Sequence, residues 1–206
     1  MATKRNANKH RGRHVFRMYS KKNGCALKVE SYLEYCHACI LECDPNVKIF
    51  ASQPETMNLV IEGKAESYTP DFLTLDQNGF AEYIEVHPST LISKNFRQRV
   101  EAFSEYSFRT IGVKIRLVTE EGLCRITRIN YQLISECASK QLSFDIHKVK
   151  LPKSPTFEEL IHALSQLTSN SIAEAYHLLT LGIYEFDKTE LLKSNTVLTE
   201  VSHARR

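Results

Sequence analysis

In the stretch YTPDFLTLDQNGFAEYIEVHP, residues 68–88, Asp71 follows Pro70 at the mouth of one strand-like run. Glu85 stands near the end of the next, with His87 two places on. Adjacent antiparallel strands lie about 4.8 Å apart, so two carboxylates on neighbouring strands can converge on one cation. Side chains two apart on a strand leave the same face, which groups Glu85 with His87 and turns Val86 toward the core. A Mg²⁺ ion takes one or two carboxylates plus waters and substrate phosphate oxygens. Held there, it polarises a phosphate and generates hydroxide. That is the chemistry of phosphodiester hydrolysis. Each acid alone has a plainer reading, Asp71 capping a turn and Glu85 pairing with an arginine on a solvated face.

The elements that must position these residues follow from periodicity. Val29, Leu33, Cys36, Ile40 and Cys43 recur at helical steps, predicting an amphipathic helix that Asp44-Pro45-Asn46 stops. Residues 47–51 and 56–61 read as short strands, with a turn at 62–64. Residues 72–75 and 83–86 form a second strand pair about Asn78-Gly79, a strong hairpin signal. A helix over 94–108, a strand over 113–119 and a helix over 126–138 complete a mixed sheet flanked by helices, an α/β architecture. These make one domain over 29–147. Residues 148–155, rich in Lys and Pro, read as a linker. Thr156 with Glu159 signals a capped helix opening a second unit over 156–206. Its apolar faces, then two β-prone runs about Lys193-Ser194-Asn195, follow winged-helix order, a pattern shared by many protein-binding and DNA-binding modules.

Charge is polarised along the chain. The first 29 residues hold nine Lys and Arg and no acid, while the other 177 carry 18 basic and 24 acidic residues, a net −6. A basic N-terminal arm over 1–28 on an acidic body suits a phosphate backbone, since neutralised phosphates release counterions whatever the sequence. Lys9, Arg11, Arg13, Arg17, Lys21 and Lys22 are the candidate DNA contacts there, with Lys94 and Arg97 on the later helix. Val15 and Phe16 could equally begin the fold. No apolar run approaches a membrane span and no signal-peptide pattern opens the chain, so a cytoplasmic protein without a membrane partner is expected. The six cysteines then read as reduced thiols. Cys36, His37, Cys39 and Cys43 share one predicted helix with no second Cys-x-x-Cys pair, so no zinc is expected.

Pro70-Asp71 with Glu85-Val86-His87 resembles the PD-(D/E)XK nuclease signature. The wider set resembles TnsA, the endonuclease subunit of heteromeric Tns-type transposases: Glu30-Ser31-Tyr32-Leu33-Glu34, Leu41-Glu42-Cys43-Asp44-Pro45, Gln53-Pro54, Tyr68-Thr69-Pro70-Asp71-Phe72, Glu85-Val86-His87-Pro88, and Leu117-Val118-Thr119 with Asn130 and Leu133 beyond. The likeness covers about residues 12–140. It implies a restriction-endonuclease-like fold in which Glu34, Asp71, Glu85 and the Val86 carbonyl hold two Mg²⁺ ions, or Mn²⁺ as substitute. Spacing alone does not choose between Glu34 and Glu30, one turn earlier. The implied activity is cleavage of the non-transferred 5′ strands at transposon-end DNA. The implied partners are an RNase H-type, TnsB-like transposase and an AAA+ ATPase regulator, TnsC-like, which docks on the C-terminal part.

His87 departs from the pattern, which carries Lys at that place. Imidazole, with an ordinary pKa of about 6.5, is mostly neutral at pH 7 and supplies no fixed charge. Three readings stand: His87 serves as the third catalytic element, Lys94 or Arg97 lends the cation, or catalysis is weak. Two other functions compete with the transposase subunit. One is a nuclease-fold bridge between transposase and ATPase that no longer cuts, the other a stand-alone restriction or repair nuclease.

Overall fold

The computed structural model describes residues 14–61 and 63–201. Lys9, Arg11, Arg13 and His203 lie outside the described residues. Among the described residues, ten strands and five α-helices run in the order β1 (Phe16–Ser20), β2 (Cys25–Val29), α1 (Tyr32–Cys43), β3 (Val47–Ser52), β4 (Met57–Ile61), β5 (Lys64–Tyr68), β6 (Phe72–Asp76), β7 (Ala81–Val86), α2 (Lys94–Ile111), β8 (Lys114–Val118), α3 (Arg125–Cys137), α4 (Phe157–Ser165), α5 (Ser171–Thr180), β9 (Tyr184–Glu185) and β10 (Thr199–Glu200). A mixed four-stranded sheet in the order β3-β6-β7-β8 forms the centre, antiparallel except for the parallel pair β7 and β8. Helix α2 makes the crossover that a parallel pair requires. Two hairpins, β1–β2 and β4–β5, flank the sheet.

Alternation along the strands divides two cores. Phe50, Phe72, Ile84 and Val86 face α1 and pack with Val29, Tyr35, Ala38 and Cys39. Tyr83 and Ile115 face the other way, against Val100 and Phe103 of α2 and Met57 and Tyr68 of the β4–β5 hairpin. Ser31 caps α1 by accepting from the Glu34 N–H (3.1 Å), and Pro45 follows its C-cap Asp44. Ser93 caps α2, and Gly112 ends it in the left-handed conformation (φ 76°) that an L side chain rarely adopts.

Several expectations are corrected. Residues 16–28 are not an arm but part of the β1–β2 hairpin. Val29 ends β2 rather than opening α1. The basic residues there hid a period of two in which Phe16, Met18 and Ser20 turn inward. Residues 148–155 are not a free linker. Leu151 is buried in the third core, and the carbonyls of Pro155 and Lys153 accept from the N–H groups of Leu198 (2.8 Å) and Glu200 (3.0 Å). Residues 156–201 do not bury a core of their own either. Phe157, Leu160, Leu164, Leu178 and Leu198 pack with Ile134 of α3 and Cys43 of α1. The Thr156 capping box is present as predicted, but the closing strands pair over only two residues each.

Candidate functional site

Asp71 and Glu85 meet because of register. Phe72 pairs with Ile84 at the end of the β6–β7 ladder, so the next position sets Asp71 opposite Glu85 on the α2 face. Directly opposed residues hold their Cβ atoms about 4.5–5.5 Å apart. The Asp71 carboxylate accepts from the Val86 N–H (2.8 Å), and its backbone carbonyl from the Gln53 N–H (2.7 Å). Gln53 carries the sole positive φ of a non-glycine among the described residues, 46°. That strained turn, costing about 1–3 kcal/mol, fixes the approach of β3 to Asp71. Glu85 accepts from the Tyr68 hydroxyl (2.7 Å) in the buried interior.

Glu34 completes the group from the first turn of α1, where the helix N-terminus favours negative charge. It is buried, and its carboxylate accepts from the Glu30 N–H (2.8 Å). Burial pushes the Asp71 carboxyl up to about 8, and the charges of Glu85 and Glu34 add to the shift against the Val86 hydrogen bond. Burial likewise raises Glu85 to about 7, aided by Glu34 and opposed by the Tyr68 hydrogen bond and the charge of Arg99. Acids driven this far toward their neutral forms lack a counter-charge at the centre of the group.

The donor set fits a hard divalent cation, being all oxygen and anionic when ionised. Val86 adds to it. Its neighbour His87 gives its N–H to Val118 of β8 (2.9 Å), so the N–H and carbonyl of Val86 leave the strand on the opposite edge, toward Asp71. Among the described residues, no three Asp, Glu, His or Cys side chains stand in a metal-holding arrangement. Each carboxylate is instead turned to a donor of the chain.

His87 is on the expected face but is held away by its packing. Its ring stacks on Phe96 of α2 (centroids 4.0 Å apart), and burial lowers its pKa against a hydrogen bond with the Leu91 backbone, favouring neutral imidazole. Lys94 and Arg97 are exposed on α2, and Arg97 lines a groove of about 470 Å³ against β8 rather than the carboxylates. The cation whose charge is felt at Glu85 is Arg99, which sequence reading missed. Its guanidinium lies over the rings of Tyr68 (5.6 Å) and Phe103 (5.7 Å), pairs with Glu66 (2.6 Å) and donates to the Ser67 carbonyl (2.8 Å). Tyr68 was missed as a ligand-holding residue as well. Its place ahead of Pro70-Asp71 was visible, but no spacing rule ties a hydroxyl on β5 to an acid on β7.

The remaining basic candidates separate. Arg17 is exposed on the outer face of β1. Lys21 and Lys22, expected as DNA contacts, have their ammonium groups engaged within the chain. The Lys22 ammonium donates to the carbonyls of Leu41 (2.8 Å) and Asp44 (2.5 Å), and that of Lys21 to Ser135 and Glu136 (3.0 Å), so both close helix C-termini. Desolvation lowers both lysine pKa values, with Glu42 the main opposing influence.

A scan against protein-family models found no match to this chain, and a search of curated proteins found none.

Proposed function

We propose that this chain is a metal-dependent DNA endonuclease subunit of a transposase, cutting the 5′ strands at transposon ends. The observation that carries the reading is the register opposition of half-buried Asp71 and buried Glu85, gathered with buried Glu34 and, among the described residues, ion-paired to no cation. The order helix, antiparallel strands, crossover helix, parallel strand around that site is compatible with the nuclease fold that the motif resemblance implies.

Glu34, Asp71, Glu85 and the Val86 carbonyl are the groups that would hold one or two Mg²⁺ or Mn²⁺ ions. The bound metal would supply Lewis acidity toward the phosphate and a lowered pKa for the attacking water. Asp71, tied to Val86 and through its backbone to Gln53, fixes the centre of the set. Tyr68 orients Glu85 by its hydrogen bond, and Arg99 holds Tyr68 in place from α2. Neutral His87 can accept a proton or orient water, but it brings no fixed charge to the phosphate. The products expected are a 5′-phosphate and a 3′-hydroxyl. End recognition would come from the RNase H-type partner, and the AAA+ regulator would dock on the C-terminal unit.

The test is cleavage of 5′-labelled transposon-end duplex by the chain with its cognate transposase in Mg²⁺ or Mn²⁺. A specific 5′-strand cut that disappears in Asp71→Ala supports the reading. No cut in either metal while the partner still joins 3′ ends would refute it. The packing of His87 on Phe96 and the engagement of Arg99 by Glu66 favour a second reading, a non-cutting bridge in the assembly. Cleavage by the chain alone would favour a stand-alone nuclease.

A further inference from the structure

Among the described residues Arg128 is a cation with no ion-pair partner, and it rests on an aromatic face. It stands one turn into α3, and its guanidinium carbon lies 6.0 Å from the centre of the Tyr32 ring. Tyr32 is the first residue of α1, two before Glu34, and is 46% exposed. The Arg128 Nε is shielded from solvent and has no hydrogen-bond partner, and among the described residues the guanidinium forms no ion pair. Glu120 lies close enough to feel its charge, but both Glu120 oxygens already accept from Ser89, from its hydroxyl (2.6 Å) and its N–H (2.9 Å). Ser89 is two residues beyond His87. Arg128 therefore lies between the flank of the site that carries Glu34 and the flank that continues from Glu85 and His87.

A shielded charged donor left without an acceptor costs about 1–3 kcal/mol or more. An external acceptor would complete the arrangement. The planar guanidinium fork matches two phosphate oxygens, and an aromatic face steadies it by cation–π attraction. Exposed Tyr32 adds a surface on which a sugar or base can stack. The neighbouring carboxylates would repel a lone anion, whereas a polyanion that also carries the scissile phosphate brings its own cations with it.

We propose that Arg128, braced on Tyr32, grips a backbone phosphate of DNA beside the carboxylate site. The assignment of the ligand as DNA rests on the nuclease reading above.

The test titrates a fluorescein-labelled DNA duplex with the full chain, in EDTA and in a shared Asp71→Ala background, and reads anisotropy at several salt concentrations. Arg128→Met keeps the apolar stem and removes the charge. It is expected to weaken binding about tenfold and to reduce the slope of log affinity against log salt by about 0.9. Arg128→Lys should restore the slope while recovering only part of the affinity, and Tyr32→Leu should weaken binding less than Arg128→Met. Thermal melts separate grip from scaffold. Removing an unpartnered donor should leave the Tm of Arg128→Met unchanged or higher, whereas a structural arginine would lower it. Unchanged affinity and slope in Arg128→Met overturns the proposal, as does a parent chain that leaves the anisotropy flat. Loss of binding in Arg128→Met alongside a failed cleavage test would keep the phosphate grip and sink the nuclease. Normal binding alongside successful cleavage would do the reverse.

Discussion

Among the described residues, buried carboxylates occur where the first hairpin meets α1 and α3, on the α2 face of the sheet and, as Glu174, on α5, and the first two groups are handled differently. Glu42 accepts from the Ser20 hydroxyl (2.6 Å) and from the N–H groups of Lys21 and Lys22 (2.9 Å each), while the ammonium groups of those lysines close the C-termini of α3 and α1. Asp71 and Glu85 have one side-chain hydrogen bond each and face further acids. The first cluster is complete within the chain, whereas Asp71 and Glu85 each lean on a single donor and are held above their ordinary pKa values. On the reading proposed above, a bound cation would supply the positive charge that the second group is short of.

Asp71→Ala should break that contrast most sharply. Cleavage in Mg²⁺ should fall by about a thousandfold or more, since the metal contributes several kcal/mol to the transition state. Urea unfolding without metal should show no loss of stability. Glu42→Ala should do the opposite. Stranding the Ser20 hydroxyl and the backbone N–H groups of Lys21 and Lys22 should cost about 3 kcal/mol, read as an earlier urea midpoint.

The pH dependence sharpens the comparison. Asp71 at about 8 and Glu85 at about 7 lie above their ordinary values of 3.8 and 4.5. Between those limits the folded chain keeps protons that the unfolded chain has released, so this pair's contribution to stability declines as pH rises from about 4 through 8. In EDTA, the double variant Asp71→Asn, Glu85→Gln should gain on the wild type in urea midpoint steadily from pH 5 to 8. Saturating Mn²⁺ should erase that gain by stabilising only the wild type. A gap that does not change with pH would mean that neither burial nor the neighbouring acids hold these carboxyls above their ordinary values.

Smaller effects are expected around the site. Arg99→Ala should lower single-turnover cleavage about tenfold with DNA affinity little changed, because Arg99 acts through Tyr68 and Glu85. His87→Lys should retain cleavage and flatten its dependence on pH between 6 and 8. Lost cleavage on that change would show a role that lysine cannot fill.

What sequence alone conveyed divides along similar lines. The strands carrying Asp71 and Glu85 were legible because Asn78-Gly79 sets their turn and alternation sets their faces. The mixed sheet flanked by helices followed from local signals of the same kind. Arg99 was not legible, since nothing local joins a residue of α2 to an acid on β7, and Lys94 and Arg97 were equally plausible on composition. The hold of Lys21 and Lys22 on helix carbonyls was not legible, because charge counts record how many cations exist and not where their ammonium groups end. The stacking of His87 on Phe96 depended on how the chain turns between β7 and α2, through Pro88 and a short 3₁₀ turn at Ser89–Leu91.

The shared core of α1, α3 and the C-terminal helices governs how the chain can be divided. A cut after residue 147 would expose Ile134 and Cys43, which pack among Leu160, Leu164 and Leu178. It would also remove the carbonyl strap that Pro155 and Lys153 offer to the last strand. The uncut chain is therefore expected to melt as one cooperative body, and anything gripping the C-terminal helices would be holding α1, the helix that carries Glu34, by its far end.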